Sequence, residues 1–541
     1  MSGPDRDEGW CGKVVDDEHG VDLPGATSGP SEAEARRIVD LVTKVWYALT
    51  PEQAEQIHTT LRGANPQHII SDPWLFNALL LSEHLTERAG AEPDQRGLVE
   101  TSADMSGYAA AVLRNATSSD EVVAIGSALV IGYRIQGDLD GAEQIGESVE
   151  QRLEELGRQG RGLTTRPATR PGQLSMQRGL TATLRGDFAR AMTLYSTAYS
   201  QMGEPPYRHF AGANAAANAA MLSVLEGHID LAGQWLERTA AFTDRSGWSG
   251  YLVYLGEYVA RALLAVDRLD RPAAETALEL AGPASVQAEL WPFAAVAHCA
   301  AELAFGEPYR AHEQLRAAAF AHNHRLSDST YCGHILLRAY LDVLVAEGEY
   351  RTAMQVAEEA GEPARTFVPV AHAYLRTGRH GDAARLAAQG IRRDDLSVRD
   401  IRELRLIRAV SLMKLDRADE AAHVYSIFQR ADNDCTAGMR ARMDPQDLAD
   451  LAGTATALGQ GGPGTRVGCQ GRGEPPGPVN LTVTELQVLR LLADGRTIAQ
   501  AAEASFTSPN TVKTHVSSIY RKLGVTNRAD ALWRADALGL L

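Results

Sequence analysis

From Ser31 to about Leu451 apolar residues recur at intervals of three and four, and alternation of apolar with polar residues is missing. That period predicts α-helices nearly throughout and no strands. In GDFARAMTLY, for example, Phe188, Ala191, Leu194 and Tyr195 share one helical face. The predicted helices come in pairs. A glycine followed five positions later by alanine recurs as Gly137…Ala142, Gly186…Ala191, Gly227…Ala232, Gly306…Ala311, Gly348…Ala353 and Gly378…Ala383. Two further copies lack the glycine, Arg268…Ala273 and Asp416…Ala421. These eight anchors lie 49, 41, 41, 38, 42, 30 and 38 residues apart, and a helical hairpin with its turns takes about 34–47 residues in α-solenoids. The glycine is expected to end one helix in the left-handed conformation. The alanine, one turn into the next helix, lets the two backbones approach. The expected architecture is all-α, an α-solenoid of helical hairpin repeats over residues 32–452. A globular all-α domain of ordinary hairpins is the other arrangement this pattern permits.

The last 62 residues, 480–541, carry a denser pattern. Thr482 and Glu485 spell a capping box ahead of Leu486, Val488, Leu489, Leu491 and Leu492, and Gly495 is placed to stop that helix. Thr497 and Gln500 repeat the box for a short helix ending near Ala504. Ser508 caps a third helix with Pro509 in its first turn, and Gly524 ends it. Asn527 can cap a fourth, RADALWRADAL. On the third helix Val512, Val516, Ile519 and Leu523 form one stripe to be buried. Lys513, Thr514, Ser517, Tyr520 and Arg521 point elsewhere, and TVKTHVSSIYRK contains no acid. A basic outer face of short side chains suits a DNA major groove, where polar groups read base edges.

Composition marks the borders. Residues 453–479 hold nine Gly and four Pro, which predicts a flexible Gly/Pro-rich linker, and residues 1–31 read as a disordered acidic tail. The chain as a whole has 53 Lys and Arg against 69 Asp and Glu, a formal charge of −16 that excludes a general nucleic-acid or anionic-membrane coat. Its C-terminal 62 residues are different, with seven Lys and Arg against five Asp and Glu, so −18 falls on the remainder. A mildly basic module on an acidic body fits a DNA reader joined to a sensing domain. Cys11, Cys299, Cys332, Cys435 and Cys469 are scattered and never spaced as CxxC, which favours a reducing, cytoplasmic setting over a disulfide scaffold. No apolar leader opens the chain, and patches such as LFNALLL at 75–81 fall far short of the ~18 residues of a membrane span.

Two resemblances follow from these motifs. The hairpin pattern resembles tetratricopeptide-like repeats, and more closely the helical repeats of MalT-like bacterial regulators. LTVTELQVLRLLADGRT…SFTSPNTVKTHVSSIYRKLGVTNRADAL resembles the LuxR-type helix-turn-helix, with SPNTVKTHVSSIYRKLGV following that family's core pattern almost throughout. The resemblance implies a four-helix domain over 480–541 that binds double-stranded DNA, pairs through its last helix as a homodimer and reads two half-sites. Carried over by position, Lys513, Thr514 and Ser517 would meet base edges. Ser508, Asn510, Thr511, His515, Arg521 and Lys522 would meet phosphates or backbone, and Glu485 matches a structural acid of the first helix. Activation, and with it contact to RNA polymerase, is implied by relatives with long helical arms. The solenoid would take a protein or small-molecule effector. Thr484 departs from the arginine usual before Glu485. Ala501, Ser505 and Thr507 stand where larger aliphatic residues are common, so the second helix is expected to dock loosely unless Ile498 or Phe506 fills the gap. That departure keeps open a solenoid adaptor whose helix-turn-helix has become a protein-docking module.

Other motifs carry less. No Gly-x4-Gly-Lys-Ser/Thr occurs, so the P-loop of ATP-dependent regulators is missing, and neither enzymatic activity nor a cofactor is expected. Gly459, Gly461 and Gly464 spell GxGxxG in a coil with no preceding strand. His322, His324, Cys332 and His334 have metal-ligand types, but the spacing suits an inter-helix turn better than zinc. Trp235, Trp248, Tyr251, Tyr254 and Tyr258 could line a pocket, although such spacing more often makes core.

Overall fold

The computed structural model describes residues 51–64, 119–135, 137–158, 170–202, 210–242, 248–286, 289–326, 332–361, 363–430, 436–458, 482–493, 496–505 and 507–523, with isolated positions between 31 and 113 and after 523. The regular structure of these residues is helical, and no strand occurs among them. After α1 (Pro51–Arg62) the helices pair into hairpins. They are α2 (Ser119–Ile135) with α3 (Leu139–Arg158), α4 (Gln173–Arg185) with α5 (Phe188–Gln201), and α6 (Phe210–Glu226) with α7 (Ile229–Ala240). Next come α8 (Trp248–Asp267) with α9 (Arg271–Ala281), α10 (Trp291–Phe305) with α11 (Pro308–Ala321), and α12 (Gly333–Ala346) with α13 (Tyr350–Ala360). The array closes with α14 (Pro363–Arg376) and α15 (His380–Gly390), α16 (Val398–Met413) and α17 (Ala418–Arg430), then α18 (Ala437–Ala441) and α19 (Pro445–Ala457).

Each repeat anchor falls at the turn inside a hairpin, and the alanine is its constant part. Ala142, Ala191, Ala232, Ala274, Ala311, Ala353, Ala383 and Ala421 are all fully buried. One of these differs from the sequence reading. In the fourth hairpin Leu269, not Arg268, takes the left-handed turn, and Ala274 is buried while Ala273 is exposed. The register is set by Asp270, whose carboxylate accepts the Ala273 N–H at 3.1 Å and so fixes where α9 begins. Gly306 also departs, with φ of −118° in place of a left-handed turn. Pro308 opens α11 and pushes Glu307 into extended backbone, so this turn takes another path.

First helices of successive hairpins pack side by side, from α2 on α4 through to α14 on α16, and α19 closes the end against α16 and α17. They form one layer and the second helices flank it. Helix α6, FAGANAAANAAMLSVLE, is buried on all sides from Ala211 to Val224, and its small residues let α5, α7 and α8 close around it. The path then curls back on itself, bringing α6 against α16 and α8 against α18. Arg399 forks onto Asp267 with two hydrogen bonds of 2.6 Å, Arg402 donates to the Gly227 carbonyl at 3.3 Å, and the Cys332 thiol donates to the Leu184 carbonyl at 3.0 Å. The array extends past the compositional boundary at 453. Leu451 and Ala455, four apart on one face, are both fully buried and carry α19 to Ala457. The acidic tail of residues 1–30 and most of the Gly/Pro-rich stretch lie outside the described residues. Among those described, no helix is long and apolar enough to cross a membrane.

Candidate nucleic-acid interface

Three helices build the C-terminal site: α20 (Val483–Ala493), α21 (Ile498–Ala504) and α22 (Pro509–Leu523), with residues 528, 531, 532 and 535 also helical. Both capping boxes form as their spacing predicts. The Thr482 N–H donates to Glu485 Oε2 at 2.7 Å and the Glu485 N–H to Thr482 Oγ1 at 3.3 Å. The Thr497 N–H donates to Gln500 Oε1 at 2.9 Å, returned from the Gln500 N–H at 3.3 Å. The core joins Val488, Leu489 and Leu492 of α20 to Ala501 and Ala502 of α21, the stripe of α22, and Ala531 and Ala535 beyond. Ala501 is fully buried and Ile498 packs against this core. Ser505 returns its hydroxyl to the Ala501 carbonyl at 2.6 Å and meets Thr507 Oγ1 at 3.0 Å, so local polar bonds close the end of α21. Gly495, Phe506, Gly524 and Asn527 lie outside the described residues.

Helix α22 orients everything else. Val512, Val516, Ile519 and Leu523 are buried, the stripe expected from their spacing. That anchor turns Asn510, Thr511, Lys513, Thr514, Ser517 and Arg521 to solvent, with His515 half-buried at the edge. Ser508 caps the helix, accepting the Thr511 N–H at 3.1 Å, and its hydroxyl meets that of Thr511 at 2.8 Å. Thr514 donates its hydroxyl to the Asn510 carbonyl at 3.0 Å, which leaves the oxygen's lone pairs toward solvent. Tyr520, expected on the outer face, is half-buried against the core. It flanks Ile519 at the border of the stripe, where a large ring gains more from packing than from water.

Glu485 ties the interface helix to α20. Its buried carboxylate accepts from Ser518 Oγ at 2.8 Å and from Lys522 Nζ at 2.6 Å. Burial acts to raise its pKa, but the Lys522 ammonium, the Thr482 N–H and the Ser518 hydroxyl outweigh it and hold the carboxyl at about 2. Lys522 is exposed like Lys513 and Arg521, but its ammonium is engaged as a brace from α22 to α20. The bond from Arg528 Nη2 to the Leu492 carbonyl at 2.5 Å plays a similar part and has no signature in the sequence. Lys522, expected from the sequence to meet phosphate or backbone, is here bonded to Glu485, and the Ser518 contact had no signal in the sequence.

The remaining motifs lie in the helical array. His322 stacks on Trp291 with ring centroids 4.4 Å apart, and His324 meets the same indole edge-on at 5.6 Å. His334 packs against Phe188, and burial, with Arg365 nearby, pushes its pKa down to about 4. Cys332 is buried on backbone carbonyls of the second hairpin. His322 and His324 thus share one indole while His334 and Cys332 serve contacts elsewhere, and no group of three metal-ligating residues converges among the described residues. Trp235 and Tyr254 are buried in the core, Trp235 edge-on to Tyr199 at 5.6 Å. The side chains of Trp248 and Tyr251, and Gly459, Gly461 and Gly464, lie outside the described residues.

Residues 479–535 match the family model "Bacterial regulatory proteins, luxR family". The C-terminal segment is a LuxR-family helix-turn-helix domain. The chain is also similar to "Probable transcriptional regulatory protein NarL" of Mycobacterium tuberculosis, 33% identical over 130 residues, covering 23% of this chain and 57% of that protein. A second relative, "Probable transcriptional regulatory protein SgaR" of Hyphomicrobium methylovorum, is 47% identical over 53 residues, covering 10% of this chain and 25% of its own length. The chain thus spans little more than half the length of the NarL protein it matches.

Proposed function

We propose that this protein is a sequence-specific, DNA-binding transcription regulator whose helical array is its receiving arm. The observation that carries the reading is the outer face of α22. It is free of acids, holds Lys513 and Arg521 at the surface, and sets Thr514 and Ser517 beside Lys513. The domain's buried acid, Glu485, is already paired with Lys522 and adds little negative potential toward a phosphate backbone. In this reading Lys513, Thr514 and Ser517 meet base edges in the major groove. Ser508, Asn510, Thr511, His515 and Arg521 position the helix on phosphates, and Lys522 holds α22 at its docking angle. Two chains pair through their last helices and read two half-sites. The array, with tetratricopeptide-like hairpins, binds a protein or small-molecule effector, and the DNA-bound dimer activates transcription through RNA polymerase.

Selection of bound duplexes from a random library by the full-length chain tests the first step. The expected product is one two-fold symmetric motif whose binding weakens steeply between about 50 and 200 mM salt. Recovery of no motif, with retention independent of salt, would refute a DNA-reading role.

A further inference from the structure

Where the helical path closes on itself it encloses a cavity of about 540 Å³, within the range of small-molecule sites. One wall is apolar, formed by Leu225, Leu263, Val296, Leu303 and Ile335 from α6, α8, α10 and α12. The charged part of the lining comes from Asp267 of α8, Arg338 and Asp342 of α12, side chains of α14 and α16, and Arg442 just after α18. Most of its charges are spent on one another. Arg338 binds Asp342 and Glu403 at 3.0 Å and also pairs with Asp400, while Arg442 binds Asp342 at 2.8 Å and Glu403 at 2.9 Å. Arg399 is held on Asp267.

Arg376, also in the lining, donates to the Arg442 carbonyl at 2.6 Å, whereas Arg365 makes neither a carboxylate nor a carbonyl bond of this kind. Its side chain is mostly buried at the cavity, 21% exposed, and the nearest carboxylate oxygen, on Asp400, is 3.9 Å away, beyond hydrogen-bond reach. A guanidinium fork with unused donors beside an apolar wall matches the planar oxygens of a carboxylate. Glu226 also lines the cavity, and burial pushes its carboxyl up to about 7 although Arg365 pulls the other way. The lining holds five arginines and five carboxylates, Glu226 included, and Arg365 is the mostly buried arginine among them whose guanidinium has no carboxylate within hydrogen-bond reach.

We propose that this cavity binds a small amphipathic carboxylic acid, with its carboxylate on Arg365 and its apolar body against Leu263, Val296 and Leu303. Helices from both ends of the closed turn line the site, so the bound acid braces α6 and α8 against α16 and α18. This deepens the reading of the array as a receiving arm and names the chemistry it receives.

The test is calorimetric titration of the full-length chain with decanoate, decanamide and decylamine, which share an apolar body and differ in head group. Decanoate is expected to saturate one site per chain, with the amide and the amine weaker by roughly tenfold or more. Arg365→Gln should weaken decanoate by a similar factor, and Ala300→Phe, which fills the apolar side, should abolish its binding. Decanoate should also raise the melting temperature of the wild-type chain more than decanamide does, a comparison that needs no variant. No saturable binding, equal binding of acid and amide, or undiminished binding to Arg365→Gln would overturn the assignment. DNA retention on the same preparation separates the two readings. Decanoate binding without DNA retention removes the regulator and leaves the cavity site, and the reverse result removes the cavity site alone.

Discussion

Glu485 makes one carboxylate a measurable support of α22. Its pKa lies near 2 in the folded domain, below the ordinary 4.5, so its contribution is fully present above about pH 4.5 and is lost as pH falls toward 2. Glu485→Gln should therefore speed hydrogen exchange in α20 and α22 at neutral pH, and that gap should close as the wild-type carboxylate is protonated. Equal exchange at neutral pH would show that the brace contributes nothing. On the exposed side the residues separate by role. Lys513→Ala should cost about 1–3 kcal/mol and relax preference at one base position, whereas Arg521→Ala should weaken all duplexes alike and lower the salt slope by about one. Quantitative gel shifts at several salt concentrations distinguish the two.

At the scale of elements, the hairpin turns make a matched pair of tests. Gly227 and Gly348 both have φ of +84°, so alanine is strained at either by about 1–2 kcal/mol. Only at Gly227 would the added methyl also lie 2.6 Å from the Arg399 backbone nitrogen, whereas nothing lies within 4 Å at Gly348. Urea unfolding should show Gly227→Ala clearly more destabilised than Gly348→Ala, and equal losses would argue against closure of the helical path. The same turns show what the sequence could reveal. Helical period and the repeated anchors located the hairpin turns from α2–α3 to α16–α17, though not the turn between α18 and α19, because both signals arise within a few residues of chain. The Leu269 register was hidden because the cap on Asp270 outweighed the motif, and the Gly306 turn because Pro308 redirected it. In the C-terminal domain the buried stripe and both capping boxes were legible for the same local reason. The Lys522–Glu485 brace joins residues 37 apart and became visible only in three dimensions. The cavity belongs to the same class, since no periodicity announces that α6 will meet α16.

Across the whole molecule, the closure is locked by charge in a protein with few aromatic residues. Arg338 serves three carboxylates, and Glu403, although burial opposes ionisation, is held well below its usual pKa by Arg442, His372 and Arg338. Removing one member of such a buried network costs about 3–5 kcal/mol. Arg338→Met should lose stability on that order in urea unfolding followed by circular dichroism. Because Asp342 and Glu403 have depressed pKa values, the network stabilises the fold at neutral pH and weakens as pH falls through the carboxylate range. That closed array and the small basic-faced domain form one chain, and the account turns on what the domain's exposed helix touches. Hydroxyl-radical footprinting of a selected duplex by the full-length protein measures this directly. Two protected patches about one helical turn apart are expected, both lost with Lys513→Ala and Ser517→Ala together. Uniform cleavage at every protein concentration, or a footprint that the paired substitutions leave unchanged, would contradict it.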